Sequence, residues 1–120
     1  MNNKEFGKVL ENRTKEFALM VFRQASTWPD STEWWVIRKQ ITRSGTSVGA
    51  NYREANRSRS NVEFLSKIRI CEAEANETIY WIELAQEILN KESPHLMELL
   101  SEAKELLALF TTIGNSLRKT

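Results

Sequence analysis

Apolar residues recur along the chain at alternating steps of three and four, and polar breaks divide the pattern into four stretches. In the first, Phe6, Leu10, Arg13, Phe17, Met20 and Gln24 fall on one stripe. The second carries Ile37, Ile41, Gly45, Val48, Tyr52 and Ala55. The third carries Phe64, Ile68, Cys71, Ala75, Ile82 and Leu89, widened by Trp81, Leu84 and Ile88. The fourth is the most regular, with Leu99, Ala103, Leu106, Phe110, Ile113 and Leu117. This spacing puts each set on one face of an α-helix and is the seam along which helices pack in bundles.

The breaks carry helix-boundary chemistry. In Trp28-Pro29-Asp30-Ser31 the proline cannot sit inside a helix, and Asp30 and Ser31 are good N-caps for the second helix. Ser93-Pro94 pairs a cap with a proline suited to the first helical position. Between them, Asn56-Arg57-Ser58-Arg59-Ser60 is polar and without period, and Ser60-Asn61-Val62-Glu63 reads as a capping box with Glu63 reaching back. Helices are therefore predicted over 3–26, 32–57, 61–90 and 94–117. Short connections make consecutive helices antiparallel neighbours, so the expected fold is all-α, an up-down-up-down four-helix bundle in a single domain spanning 1–120.

One stretch departs from ordinary helix chemistry. Ser44-Gly45-Thr46-Ser47-Val48-Gly49-Ala50 is almost entirely small, and each glycine costs about 1 kcal/mol relative to alanine in a helix interior. The stripe stays in phase through Val48 and Tyr52, which favours close approach of a neighbouring helix over the other reading, a helix break at Gly45.

Composition narrows the function classes. With 120 residues, 41% hydrophobic and 28% charged, the chain has enough material for a core and is neither a disordered tail nor a membrane protein. No apolar signal region follows Met1-Asn2-Asn3-Lys4-Glu5, and the one cysteine makes no internal disulfide, so the expected location is the reducing cytoplasm. A di-iron bundle needs Glu-x-x-His on two helices, whereas His95 is the one histidine. An Arg-x4–6-His ribonuclease motif is absent too, and no Gly-rich phosphate loop follows a strand. Cys71 lies on the apolar stripe and reads as a buried thiol rather than a nucleophile. Glu74 and Glu77 share a helix face, which suits acid/base chemistry or a metal, but ion pairs to Arg43 or Arg53 across the bundle are the simpler role. Trp34, Trp35 and Trp81 are suited either to stacking on bases or, as favoured here, to burial in a core or subunit interface. Neither a catalytic residue nor a metal or other cofactor site is predicted.

The net charge of +1 conceals a strong polarity. Residues 1–37 balance, residues 38–69 carry +6, residues 70–110 carry −7 and residues 111–120 carry +2. The basic part centres on the turn before the third helix. Arg53 and Arg57 are one helical turn apart, Arg59 lies in the turn, and serines cap the third helix. Arg53, Arg57 and Arg59 are thus candidate contacts to RNA or DNA phosphates, with Arg43 and Lys67 as weaker ones. The competing reading pairs these cations with acidic residues of the third helix or of a neighbouring subunit.

Two runs carry a resemblance. Arg43-Ser44-Gly45-Thr46-Ser47-Val48-Gly49-Ala50-Asn51-Tyr52-Arg53-Glu54-Ala55 resembles the signature of a bacterial four-helix-bundle family. Its founding members are encoded in intervening sequences of 23S rRNA genes and were once labelled ribosomal proteins. Glu74-Ala75-Asn76-Glu77-Thr78-Ile79-Tyr80-Trp81-Ile82-Glu83-Leu84 resembles its second signature, with Arg57, Ser60, Phe64, Lys67 and Ile70 fitting the spacing between. The resemblance covers about 6–117. It implies a four-helix bundle assembled as a ring-shaped homopentamer. It also implies kinship with the accessory variability determinant of diversity-generating retroelements, a basic pentamer that binds nucleic acid and a reverse transcriptase. The near-neutral charge separates this chain from that relative. The expected role is a non-enzymatic homo-oligomer associated with nucleic acid. The alternative is a structural or protein-adaptor oligomer that binds a protein partner and no nucleic acid. No membrane partner is expected.

Overall fold

A computed structural model describes residues 2–118, with side chains described through Leu117. It contains four helices, α1 (Asn3–Ala25), α2 (Thr32–Ala55), α3 (Asn61–Leu89) and α4 (Pro94–Arg118). They form a bundle of 46 × 25 × 21 Å in which α2 packs on α1 and α3, and α4 packs on α3 and, less extensively, on α1. The four-helix bundle expected from periodicity is the observed fold.

Each helix starts where a side-chain oxygen is available to its orphan amides. Asn2 Oδ1 accepts from the Glu5 amide at 2.8 Å, Ser31 Oγ from Trp34 at 3.3 Å, Ser60 Oγ from Glu63 at 3.1 Å and Ser93 Oγ from Leu96 at 3.4 Å. The capping box differs in one bond. The Glu63 carboxylate accepts from the amide of Arg59, one residue before the cap. The first three helices also end slightly earlier than the pattern predicts, and α4 ends one residue later. At the end of α2 the bonding tightens from four-residue to three-residue spacing, with Arg57 N donating to Glu54 O and Ser58 N to Ala55 O, both at 3.0 Å. The last residue of α3 is Leu89 because Asn90 turns left-handed, at φ 49°.

The core joins all four helices. Phe17, Ile41, Ile68, Ile82, Leu96, Leu99, Leu106 and Phe110 are fully enclosed. The stripes of α2 and α4 are largely as predicted, whereas α1 is rotated. Thr14 and Val21 are buried, Arg13 and Met20 lie half-buried, and Phe6 is exposed. Two glycines explain the rotation. A Cβ on Gly45 would stand 2.8 Å from Val21 Cγ2, and one on Gly49 would stand 3.1 Å from Thr14 Oγ1 and 3.3 Å from the Thr14 backbone carbonyl carbon. Close packing is therefore the correct reading, and α2 runs unbroken through Gly45. Thr14 accommodates the contact because its hydroxyl bonds to the Leu10 and Glu11 carbonyls of its own helix. Ser44 plays the same close-packing role toward α3, where Thr78 Oγ1 meets Ser44 Oγ at 2.9 Å inside the core.

Candidate nucleic-acid interface

The fold divides the basic segment into cations that are used internally and cations that are not. Arg38 reaches back from α2 to cap the end of α1, donating to the carbonyls of Ala25, Trp28 and Pro29. Lys39 lies over the Trp35 ring, 5.1 Å from its centroid. Arg43 bridges from α2 to α3, bonded to Glu74 at 3.0 Å and to Glu77. Arg69 pairs with Glu72 at 3.0 Å and donates to Asn115 Oδ1 of α4 at 3.2 Å. Outside the segment, Arg13 of α1 makes a bidentate bond to Glu102 of α4, at 2.7 and 2.8 Å, and a third contact with Glu105.

Arg53, Arg57 and Arg59 behave differently. All three are exposed, and none of their side chains has an acidic partner among the described residues. Arg53 projects from the last turn of α2, whereas Arg57 lies just beyond the helix, in the tightened turn rather than on a shared helical face. Arg59 is next, its amide tied to Glu63. That bond changes the picture of the α3 N-terminus. Ser60 Oγ accepts from the Glu63 amide and the Glu63 carboxylate accepts from the Arg59 amide, so an acidic side chain stands at this helix end beside the guanidinium groups. Lys67 is half-buried on α3, without an ion-pair partner among the described residues. Arg43 differs from the other candidates, because its guanidinium is already held by two carboxylates.

The remaining chemistry-bearing residues take structural roles. Glu77 accepts from Trp81 Nε1 and from Arg43, and these bonds hold its carboxyl below the usual carboxylate range. Glu72 is likewise held low, first by the Thr111 hydroxyl and then by Arg69. A depressed carboxyl is the opposite of what a general acid at neutral pH needs. Cys71 is fully buried, with Sγ 3.5 Å from the Val48 carbonyl oxygen, and burial pushes its thiol up to about 12. A thiol in that state is not an activated nucleophile. Trp28 and Trp34 pack together in the core with centroids 5.0 Å apart, and Trp81 is half-buried. Trp35 is 58% exposed. It stands about 27 Å along α2 from Arg53 at the usual helical rise, so it does not join the arginine cluster. His95 is exposed beside Glu98, and no group of three metal-ligating side chains occurs among the described residues. Among those residues no helix is long and apolar enough to cross a membrane.

Sequence reasoning missed the exposed lysines of α1. The zero net charge of residues 1–37 hides Lys4, Lys8 and Lys15, which share the outer face of α1 and are all exposed. Lys15 and Arg53 flank a groove of ≈ 420 Å³ between α1 and α2. The signal was present in the i, i+4, i+11 spacing of these lysines, but a charge tally by segment does not resolve faces.

Known proteins share this architecture. A family model described as 23S rRNA-intervening sequence protein matches residues 9–112, a span that contains both recognisable motifs. No curated protein matches the chain. A solved structure from Bacteroides thetaiotaomicron, described as a protein with unknown function from the S23 ribosomal protein family, superposes with a TM-score of 0.78 at 33% identity. The match covers 87% of this chain and 96% of that one. On the two motifs, the bundle and these matches together, the chain belongs to the family of 23S rRNA-intervening sequence proteins.

Proposed function

We propose that this chain is a non-enzymatic cytoplasmic scaffold, a ring-forming homo-oligomer that holds nucleic-acid phosphates on Arg53, Arg57 and Arg59. The observation that carries the proposal is the division of the arginines. Within residues 38–69, Arg38, Arg43 and Arg69 are each engaged by carboxylates or carbonyls of the same chain, whereas these three stand exposed and without acidic partners among the described residues. Unpaired cations at one end of a helix pair suit phosphates, which supply most of the affinity of nucleic-acid contacts. Lys67 adds a weaker contact, and Arg43 contributes by keeping α2 and α3 in register rather than by touching phosphate.

Self-association has separate support. Ile70, Tyr80 and Ile88 are exposed along α3, with Trp81 and Leu84 half-buried beside them, a run of apolar surface that a monomer leaves uncovered. The same surface favours the alternative, an adaptor oligomer that uses no nucleic acid. Light scattering on the purified protein is expected to give a pentamer, and Tyr80→Glu with Ile88→Glu to give smaller species. RNA and DNA binding across a salt series separates the two roles. Phosphate contact predicts binding that weakens with salt and weakens further in Arg53→Ala, Arg57→Ala and Arg59→Ala. An intact oligomer that binds neither polymer at low salt leaves the adaptor role standing.

A further inference from the structure

We infer that the outer face of α1 and α2 is the path of a single-stranded nucleic acid, with Lys15 and Arg53 on opposite walls of its first hollow. The inference rests on the phosphate-contact proposal and adds to it a route, a strand state and three lysines.

Three hollows lie in succession, two along this face and the third at the turn from α2 into α3. The first, ≈ 420 Å³, is walled by Lys15 and Arg53 and floored by Ala18 and Ala50, with the exposed Asn12 amide at its edge. The second, also ≈ 420 Å³, takes Lys4 and Lys8 as its cations and shares Glu11 with the first. A third, ≈ 270 Å³, holds Arg59 and Ser60 and shares Asn56 with the second. Every hollow therefore has at least one exposed cation without an ion-pair partner among the described residues. Glu11 is the acidic member of the track, and its carboxylate is occupied by the Asn56 side-chain amide at 3.0 Å. By contrast, the ≈ 510 Å³ hollow between Phe6, Phe64 and Ile113 contains no charged residue.

The chemistry of the series matches a polymer of nucleotides. Each unit brings one anion, a hydroxyl-bearing sugar, an apolar base face and hydrogen-bonding edges. Each hollow offers one or two cations, and the first adds a floor without long side chains and an amide at its edge. A lone phosphate would need one such hollow, whereas consecutive cationic hollows track a backbone. A single strand can turn its unpaired bases into hollows of this size, whereas the paired bases of a duplex stay stacked inside it.

Anisotropy of a labelled single-stranded 12-mer RNA and of its duplex, measured on the full chain in a salt series, tests this. The single strand should bind more tightly than the duplex. Lys15→Gln and Lys8→Gln should each weaken it and lower the salt slope by about 0.7. Ala50→Trp, which fills the first hollow from an exposed position, should abolish single-strand binding while circular dichroism stays unchanged. If Arg57→Gln and Arg59→Gln weaken binding but Lys15→Gln and Ala50→Trp match the parent, the groove is wrong and the arginine contacts stand. Equal affinity for the duplex overturns the strand state. Absence of binding by either polymer removes both this inference and the proposal on which it rests.

Discussion

Single residues decide how closely the helices approach. Gly45 and Gly114 both sit in helices where a Cβ would meet a neighbour, but the neighbours differ. At Gly45 the obstacle is the branched side chain of Val21, fully buried and fixed by packing. At Gly114 it is the Arg69 guanidinium, 2.5 Å away at the end of a flexible chain. Replacing glycine by alanine gains about 1 kcal/mol of helix propensity in either place, and overpacking a core costs about 1–3 kcal/mol. Gly45→Ala is therefore expected to destabilise the protein by about 1 kcal/mol, and Gly114→Ala to fall within about 1 kcal/mol of neutral. Urea unfolding of the two variants checks the order. A more stable Gly45→Ala would mean that α1 yields where the packing says it is held.

At the scale of elements, the helix starts were readable because a cap is a local device. Ser31, Ser60 and Ser93 need nothing beyond the next three residues to satisfy an amide, and each acts as the sequence suggests. Ser60→Ala should cost about 1 kcal/mol, with faster amide exchange confined to the first turn of α3. Exchange that rises equally throughout the bundle would show that this turn has no local stability of its own. Helix rotation was less readable. Arg13 and Met20 fit the stripe of α1 as well as Thr14 and Val21 do by position, and the choice between them depends on Gly45 and Gly49 of the facing helix. The end of α2 was equally hard to read, and Arg57 lies in a tightened turn, outside the helix that its spacing from Arg53 implied.

Across the whole molecule, the opposed charges of the two halves become ties between helices. Arg43 joins α2 to Glu74 and Glu77 of α3, Glu72 of α3 accepts from Thr111 of α4, and Arg13 joins α1 to Glu102 of α4. Glu72 and Glu77 have carboxyls held below their ordinary value, so the unfolded chain takes up protons at these sites before the folded one does. The stability they provide is complete above the unfolded glutamate value of about 4.3 and is lost as pH falls through the lower folded values. Urea midpoints measured on descending pH should fall in that window. Thr111→Val, which removes the largest cause of the Glu72 shift, should flatten the fall. A midpoint that does not change as the pH is taken below about 4.3 would contradict the assignment.

The sequence by itself determined four helices, their caps, their antiparallel order and the existence of a basic segment between two neutral or acidic ones, because periodicity, capping and short connections act over a few residues. The tertiary structure alone decided which cations are spent. Arg43 and Arg53 lie on one helix with the same charge, yet Arg43 faces Glu74 and Glu77 while Arg53 faces a groove with Lys15 across it. That difference arises from the rotation of each helix about its axis and its register against its neighbours. Both are set by contacts such as Gly49 on Thr14 and Thr78 on Ser44, between residues far apart in the chain.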